Sequence, residues 1–151
     1  FLVPLFRTPK EILEEIVDII SPKESDHIVD LGSGDGRLLL KAHRNSRCSC
    51  TGYDISPIML ILARTRKFLQ FPLSNNIYFE AEDIFQVKLD PFTKVYCYLD
   101  QDSMNILKKK LSEYVKNGGE VYSYKYRIPE EKNEKKMILR NGVSLFIYKK
   151  S

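Results

Sequence analysis

The chain has 151 residues, of which 43% are hydrophobic and 29% charged, and its net charge is +4. These values are typical of one globular domain with its own core and leave little room for a second. No apolar run approaches the roughly 20 residues of a membrane helix, the chain does not open on a secretory signal, and the charge is too small to indicate a nucleic-acid-binding protein, although nucleic acid stays open as a partner.

The first predicted element is an amphipathic helix that begins at Pro9, with Thr8 before it. Thr8 is a suitable N-cap residue, and Pro9 fits the first turn of a helix because it has no amide hydrogen to leave unpaired. Apolar residues then recur at helical spacing until Ser21-Pro22 ends the helix. The next segment, 27–31, is short, apolar and followed by glycines, which predicts a buried strand.

Beyond the glycines, helical and strand patterns alternate. We predict helices from 38, from Pro57 and over 106–115, the last ending at Asn117-Gly118-Gly119, and strands at 50–54, 77–80, 94–99, 121–128 and 143–148. The charged segment 130–136 predicts a solvated loop, and Asn141-Gly142 predicts a hairpin turn before the last strand. The alternation predicts an α/β fold, with a mostly parallel sheet flanked by helices and a C-terminal antiparallel hairpin.

The cysteines Cys48, Cys50 and Cys97 have neither the even count of a disulfide framework nor the spacing of metal ligands. We predict buried thiols in a reducing compartment, and therefore a cytoplasmic protein. Because the chain begins with Phe1 rather than Met, a targeting segment ahead of it would change that prediction. His27 and His43 also lack a partner pattern, so we predict structural histidines and no metal site.

The glycine cluster has the spacing Gly32-x-Gly34-x-Gly36 between a strand and a helix. Missing side chains let a ligand approach the backbone, and a helix N-terminus offers unpaired N–H groups. The dinucleotide pattern G-x-G-x-x-G is not met, and the nearby acids Asp30 and Asp35 disfavour a pyrophosphate. They suit S-adenosylmethionine (SAM), which carries a sulfonium, an ammonium and one carboxylate. We predict a SAM site with contacts from the residues Asp30, Gly32, Ser33 and Gly34.

Two further carboxylates follow predicted strands. Asp54 ends the second strand, where it can accept hydrogen bonds from both ribose hydroxyls. Asp83 follows the third strand and can accept from the adenine amino group, with Ile84 and Ile55 on the two faces of the ring. Asp83 also fits a plain loop or capping acid, and the acids Glu80 and Glu82 compete for its role.

The segment 30–37 resembles the first motif of class I SAM-dependent methyltransferases almost letter for letter, and the resemblance runs along nearly the whole chain. Val3-Pro4, Thr8-Pro9, Tyr98-Leu99 and the segment 107–111 are similar to the small archaeal protein-lysine methyltransferases and their mitochondrial relatives. In that family the threonine-proline segment covers the cofactor. The resemblance therefore implies a single domain over 1–151, with a cofactor-covering segment and helix at 1–26 and a Rossmann-like core at 27–151.

The resemblance implies SAM contacts from Thr8 and, less directly, Phe6. Two segments depart from the pattern of that family, and these departures bear on the subfamily assignment and on substrate preference. The family usually has Val-Pro-Thr-Pro where this chain has Phe6-Arg7-Thr8-Pro9, and a Ser-His-Glu-like stretch where it has Ser123-Tyr124-Lys125. The absence of an Asn-Pro-Pro-Tyr motif disfavours adenine or glutamine amide nitrogen as the acceptor.

A lysine acceptor must lose its proton before it attacks a sulfonium methyl group, and an apolar, tyrosine-lined entrance promotes that loss by desolvation. Tyr98 is the main candidate for lining this entrance, with Tyr122 and Tyr124 as further candidates, and no dedicated general base is visible. Asp100 and Asp102 either attract the cationic lysine or cap the next helix.

The predicted function is SAM-dependent methylation of accessible lysines on protein substrates. Two alternatives stay open: methylation of RNA or a small molecule, and a SAM-binding module without catalysis. The oligomeric state is not predicted by the sequence.

Overall fold

The computed structural model describes residues 7–151, so Val3-Pro4 and Phe6 lie outside the described residues. The helices are α1 (Lys10–Ile20), α2 (Arg37–Ser46), α3 (Pro57–Gln70) and α4 (Gln101–Lys116). The strands are β1 (His27–Leu31), β2 (Ser49–Tyr53), β3 (Ile77–Glu80), β4 (Lys94–Cys97), β5 (Glu120–Tyr124), β6 (Glu134–Ile138) and β7 (Ser144–Tyr148). No helix within this part of the chain is both long and apolar enough to cross a membrane.

The strands form one seven-stranded sheet in the order β3-β2-β1-β4-β5-β7-β6. The first five strands pair in parallel, whereas β7 is antiparallel to both β5 and β6. The prediction of a mostly parallel sheet closed by an antiparallel hairpin is confirmed. Because parallel strands end at the same edge of a sheet, the loops after β1, β2 and β4 meet at one place.

Alternate residues of the strands serve two different cores, as the period of two requires. Ile28 and Tyr96 pack with α1, α2 and α3 on one face, whereas Val29 and Val95 pack with α4 on the other. Since both faces are covered, the central strands are apolar on both sides. Asp30 breaks this pattern, because it is a carboxylate at a position that faces the first core.

Helix α1 begins one residue later than predicted. Pro9 occupies the N-cap position, and Thr8 makes no capping hydrogen bond with its side chain. The Thr8 carbonyl instead accepts a hydrogen bond from Arg37 Nη2 at 2.8 Å. Thr8 is thus fixed to the start of α2 rather than to its own helix.

Two predicted boundaries near the end of the chain are wrong. Strand β5 stops at Tyr124, not at residue 128, because Lys125 adopts a left-handed φ of 75° that a strand cannot continue. The charged segment is a loop only in its first half, since Glu134–Ile138 pairs with β7 as an edge strand. The hairpin turn at Asn141-Gly142 was predicted correctly. It brings Glu134–Ile138 beside β7, and the segment pairs as a strand although it is charged.

The cysteines and one histidine serve packing in the described chain. Cys48 and Cys50 are buried with their Sγ atoms 3.7 Å apart, and Cys97 is buried in the other core. His43 is buried, with Nδ1 2.8 Å from the Cys48 carbonyl. His27 Nε2 lies 2.7 Å from Thr51 Oγ1, and burial lowers the pKa of this imidazole.

Candidate functional site

The glycine loop connects β1 to α2 at the carboxyl edge of the sheet. Gly32, Gly34 and Gly36 have φ values of 83°, 56° and 80°, in the left-handed region that favours glycine. The amides of Gly32 and Ser33 donate to the Tyr53 carbonyl at 2.8 and 2.9 Å. These bonds hold the loop against the end of β2.

Asp54 follows β2 and organises the same loop with its buried carboxylate. Oδ2 accepts a hydrogen bond from the Gly34 amide at 2.8 Å, and Oδ1 accepts one from the Ser56 amide at 2.8 Å. An ionised carboxylate has about four acceptor positions, so each oxygen keeps capacity for one more donor. The geometry therefore allows Asp54 to shape the loop and to accept from ribose hydroxyls at once.

A cavity of about 480 Å³ opens between the loop, α1, α3 and the end of β4. Six of the predicted site residues line it: Thr8, Asp30, Gly32, Ser33, Gly34 and Tyr98. Its volume falls within the usual range for a small-molecule site. A second cleft of about 650 Å³, near the amino ends of β4 and β5, contains none of the predicted site residues.

Asp30 lies in the cavity wall with an unpaired carboxylate oxygen. The residue is only 3% exposed, and its Oδ1 has no hydrogen-bond partner among the described residues. Burial, reinforced by the charges of Asp54 and Asp35, raises the pKa of this carboxyl well above its usual value. A buried carboxyl without a donor is costly, and a ligand ammonium would supply both the donors and the positive charge.

Arginines around Asp35 form a part of the site that the sequence interpretation missed. The Asp35 carboxylate lies 2.6 Å from Arg7 Nη2, 3.1 Å from Arg37 Nε and 3.8 Å from Arg66 Nη2. One negative and three positive charges leave an excess of positive charge on the cavity wall. Arg66 Nε is also buried without a partner among the described residues.

This arginine cluster can bind a ligand carboxylate, because guanidinium groups pair with carboxylates through parallel hydrogen bonds. Arg37 directly follows the glycine loop in the sequence, so its position next to Asp35 could have been predicted from the sequence. Arg66 lies on another helix, and no short-range pattern connects it with the loop.

The predicted adenine contacts lie outside the lining of this cavity. Asp83 is exposed, and its Oδ1 accepts from the Phe85 amide at 2.9 Å within its own turn. Ile84 is half-buried against the α4 core, whereas Ile55 is 72% exposed. Adenine binding by these residues stays a prediction.

Tyr98 is the predicted entrance residue that the structure places at the cavity. Its ring packs edge-on against Tyr124 at 4.7 Å between centroids, and burial raises the pKa of the Tyr98 hydroxyl. Tyr122 and Tyr124 do not line the cavity: Tyr122 donates to Glu120, and Tyr124 accepts from Asn141. Tyr96, which sequence interpretation missed, lines it from β4.

Of the two acids after β4, Asp100 is the helix cap. Its carboxylate accepts from the Ser103 amide at 2.7 Å at the start of α4. Asp102 lies in the first turn of α4, where a negative charge is favourable to the helix dipole.

The raised pKa of Asp30 leads to a prediction about stability. Because the folded-state pKa lies above the unfolded one, the protonated form stabilises the fold, and this contribution is lost as pH rises above the unfolded pKa. Asp30→Asn should therefore raise the free energy of unfolding at pH 7 by at least about 1 kcal/mol and weaken SAM binding. Urea unfolding without cofactor, at neutral and acidic pH, measures the first effect.

The gain should shrink at acidic pH, where Asp30 is protonated in both states. Asp90→Asn, a change at an exposed loop position, is the matched control and should leave stability unchanged within about 0.5 kcal/mol. A less stable Asp30→Asn at pH 7 would contradict this account of Asp30.

Comparison with known proteins connects this site with one family. Residues 30–135, more than half of the chain, match the family model of the ANTKMT methyltransferase domain. The adenine nucleotide translocase lysine N-methyltransferase of Mus musculus is 27% identical over 127 residues, covering 84% of this chain and 55% of that protein. A protein-lysine N-methyltransferase of Saccharolobus islandicus is 27% identical over 131 residues, covering 83% and 78%.

The chain thus spans about half the length of the mouse relative. Among solved structures, the chain is similar to an RNA methyltransferase of Salinibacter ruber bound to S-adenosyl-L-homocysteine. The TM-score is 0.85 at 24% identity, with 95% of this chain and 92% of that chain covered. This likeness shows a shared methyltransferase fold.

Proposed function

Because the chain belongs to the ANTKMT methyltransferase domain family, whose cofactor is SAM, we propose that it transfers the SAM methyl group to lysine side chains of proteins. The single observation that supports cofactor binding best is the unpaired Asp30 oxygen in the cavity beside the glycine loop. The lysine acceptor is supported by the mouse and archaeal relatives, both of which are named as lysine methyltransferases.

The cavity residues fit the chemical groups of SAM, together with Asp54, which lies outside the cavity lining and is hydrogen-bonded to the lining residue Gly34. Asp30 would hold the ammonium, and the arginine cluster would hold the carboxylate. Asp54 would accept from the ribose hydroxyls, and Thr8 would cover the cofactor from the N-terminal side. When bound, SAM supplies an electrophilic methyl group.

The protein's part in the reaction is to position and desolvate the acceptor. Methyl transfer needs the nucleophile in line with the leaving group, so orientation is the main demand. Tyr98 and Tyr96 would line the approach with aromatic faces, which favour release of the lysine proton by desolvation and then hold the cationic product. This role of Tyr98 is part of the proposal.

The function can be tested with SAM that carries a labelled methyl group. The chain is incubated separately with a protein extract, an RNA pool and a metabolite pool. We expect label only in the protein extract, on lysine side chains. Label only in RNA or small molecules would contradict the lysine proposal, and cofactor binding without transfer to any pool would favour a SAM-binding module.

Tyr98→Ala is the informative variant in this assay. It should lower transfer to protein about tenfold or more, while calorimetry shows cofactor affinity unchanged within about twofold. Tyr78→Ala, at an exposed tyrosine on β3, is the matched control that should leave transfer unchanged. The three cysteines are free and buried, as expected of a protein in a reducing compartment. We therefore propose that the protein is cytoplasmic, which stays a prediction.

A further inference from the structure

Lys125 lies at the carboxyl edge of the sheet, next to the candidate entrance residue Tyr98. Strands β4 and β5 pair in parallel with Cys97 opposite Ser123, so Tyr98 and Tyr124 come next on the two chain segments. The rings of these two tyrosines pack edge-on, with 4.7 Å between their centroids. Lys125 directly follows Tyr124, so its backbone lies one residue beyond this contact.

The backbone at Lys125 is fixed in an unusual conformation. Its φ of 75° lies in the left-handed region, which is uncommon for a residue other than glycine, asparagine or aspartate. The Lys125 amide donates to the Ser144 carbonyl at 2.8 Å, and Ser123 Oγ donates to the Tyr126 carbonyl on the next residue. The Lys125 Nζ lies 5.5 Å from the centre of the Tyr126 ring. The fold itself therefore sets the position of this lysine.

The positive charge of Lys125 is not neutralised by a neighbouring carboxylate. The residue is exposed, and within residues 7–151 no carboxylate lies within ion-pair distance of it. Asp100, which follows β4, accepts from the Ser103 amide, and Arg127 is paired with Glu134 at 2.6 Å. Lys125 thus contributes an unpaired positive charge at this edge of the sheet.

This charge acts at the cavity entrance. Burial raises the pKa of the Tyr98 hydroxyl, and the charge of Lys125 acts in the opposite direction. The other groups that act on this hydroxyl are two more tyrosines, Tyr124 and Tyr126. Of these side chains, only that of a lysine is charged at neutral pH. A cationic acceptor placed beside Tyr98 would therefore experience repulsion from Lys125.

We propose that the positive charge of Lys125 favours the neutral, nucleophilic form of an acceptor lysine that lies beside Tyr98. This role rests on the proposed function, in which Tyr98 lines the acceptor entrance. A like charge nearby disfavours a protonated amine, and proteins activate nucleophilic lysines by placing another cation beside them. Among the charged groups of the cavity lining, Asp30 and the arginine cluster around Asp35 are already assigned to the cofactor.

The acceptor must lose a proton before methyl transfer. Its ammonium releases that proton to water, and the nitrogen lone pair then forms the new N–C bond. The C–S bond of the cofactor breaks in the same step, and its electron pair stays on sulfur. Lys125 takes no part in bond making, but its charge lowers the pKa of the acceptor and so enlarges the neutral fraction at pH 7.

The test is the pH dependence of methyl transfer to the lysines of a protein extract at saturating SAM. Lys125→Met removes the charge and keeps an apolar side chain of similar length. The pH at which transfer reaches half its maximum should then rise by about 0.5 pH unit or more. Transfer at neutral pH should fall about threefold or more, whereas at alkaline pH it should approach that of the unaltered chain.

Three further variants make this test specific to the charge at residue 125. Lys125→Asn is a second neutral variant, because asparagine tolerates a left-handed backbone, and it should show the same shift. Lys125→Arg keeps the charge and should retain the profile of the unaltered chain. Lys88→Met is the matched control, since Lys88 is an exposed lysine beside the second cleft, at the opposite edge of the sheet.

A second measurement does not depend on methyl transfer. The Tyr98 hydroxyl can be titrated by NMR in a chain that contains isotope-labelled tyrosine, with Tyr98→Phe to identify its signal. Lys125→Met should raise the pKa of this hydroxyl, because the favourable positive charge is lost. Lys88→Met should leave it unchanged.

An unchanged Tyr98 pKa in Lys125→Met would overturn the role of Lys125. An equal loss of transfer at every pH would also overturn it, since a merely structural effect does not vanish when the amine is neutral. Absence of lysine label from the unaltered chain would overturn the proposed function and this role together. Lysine label with an unmoved pH profile in both neutral variants would overturn this role alone.

Discussion

Replacing Asp54 by alanine should reduce SAM affinity at least about 100-fold, because two charge-assisted hydrogen bonds to ribose contribute roughly 1.5–3 kcal/mol each. The structure adds a second reason. The Asp54 carboxylate also accepts from the amides of Gly34 and Ser56, so alanine leaves both donors without this partner and loosens the glycine loop. Calorimetric titration with SAM measures the loss.

Binding of two cofactor analogues separates the loss of the ribose hydrogen bonds from the loosening of the glycine loop. S-adenosylhomocysteine and methylthioadenosine share the ribose, whereas only the first has the amino-acid end. If Asp54 binds ribose, Asp54→Ala should weaken both by a similar factor. Asp90→Ala, at an exposed loop position, is the control and should bind both normally. Unchanged affinity of Asp54→Ala for either compound would refute the ribose assignment.

Asp54 also shows how far the sequence could predict the site. A carboxylate at the end of the second strand was visible from the strand pattern and its distance from the glycines. Its hydrogen bond to Gly34 was not, because this contact crosses 20 residues and depends on how the loop folds back. Chain order predicts which strand ends meet, whereas side-chain contacts between loops depend on tertiary packing.

The arginine cluster and the exposed apolar side of helix α3 were missed for related reasons. Arg66 and Asp35 come together only because α3 packs next to the start of α2. On α3, apolar residues at helical spacing predicted a helix but not which side faces the core. The small residue Ala63 faces inward, and its Cβ lies 3.1 Å from the position that a Cβ on Gly36 would occupy.

The errors in the predicted boundaries of β5 and β6 have local causes. Period-two apolar residues continue beyond Tyr124, but the left-handed backbone of Lys125 turns the chain away. Charge in the segment 130–136 indicated a loop, but an edge strand tolerates charged residues because one of its sides is open to solvent. In both cases the pattern described the side chains correctly, while backbone geometry decided the element.

Gly36→Ala should lower the free energy of unfolding by about 2–5 kcal/mol. Gly36 has a φ of 80°, and a left-handed backbone costs a residue with a Cβ about 1–2 kcal/mol. The added Cβ would also lie 2.7 Å from Phe79 Cζ and 3.1 Å from the Ala63 Cβ. Phe79 is buried, so its ring has little free space to move into, and overpacking adds about 1–3 kcal/mol. Urea unfolding at neutral pH measures the total.

Gly34→Ala is the matched variant, because Gly34 has a φ of 56° but no atom within 4 Å of the position of an added Cβ. It should lose only the backbone contribution of about 1–2 kcal/mol. Since Gly34 lines the cavity, its methyl group would occupy space on the ligand side and weaken SAM binding. Equal destabilisation by the two substitutions would show that contact with Phe79 does not limit residue 36. Normal SAM affinity in Gly34→Ala would show that the cofactor does not approach the backbone at residue 34. The two neighbouring glycines thus separate the two demands on this loop: close packing against the sheet at Gly36, and close approach of the cofactor at Gly34.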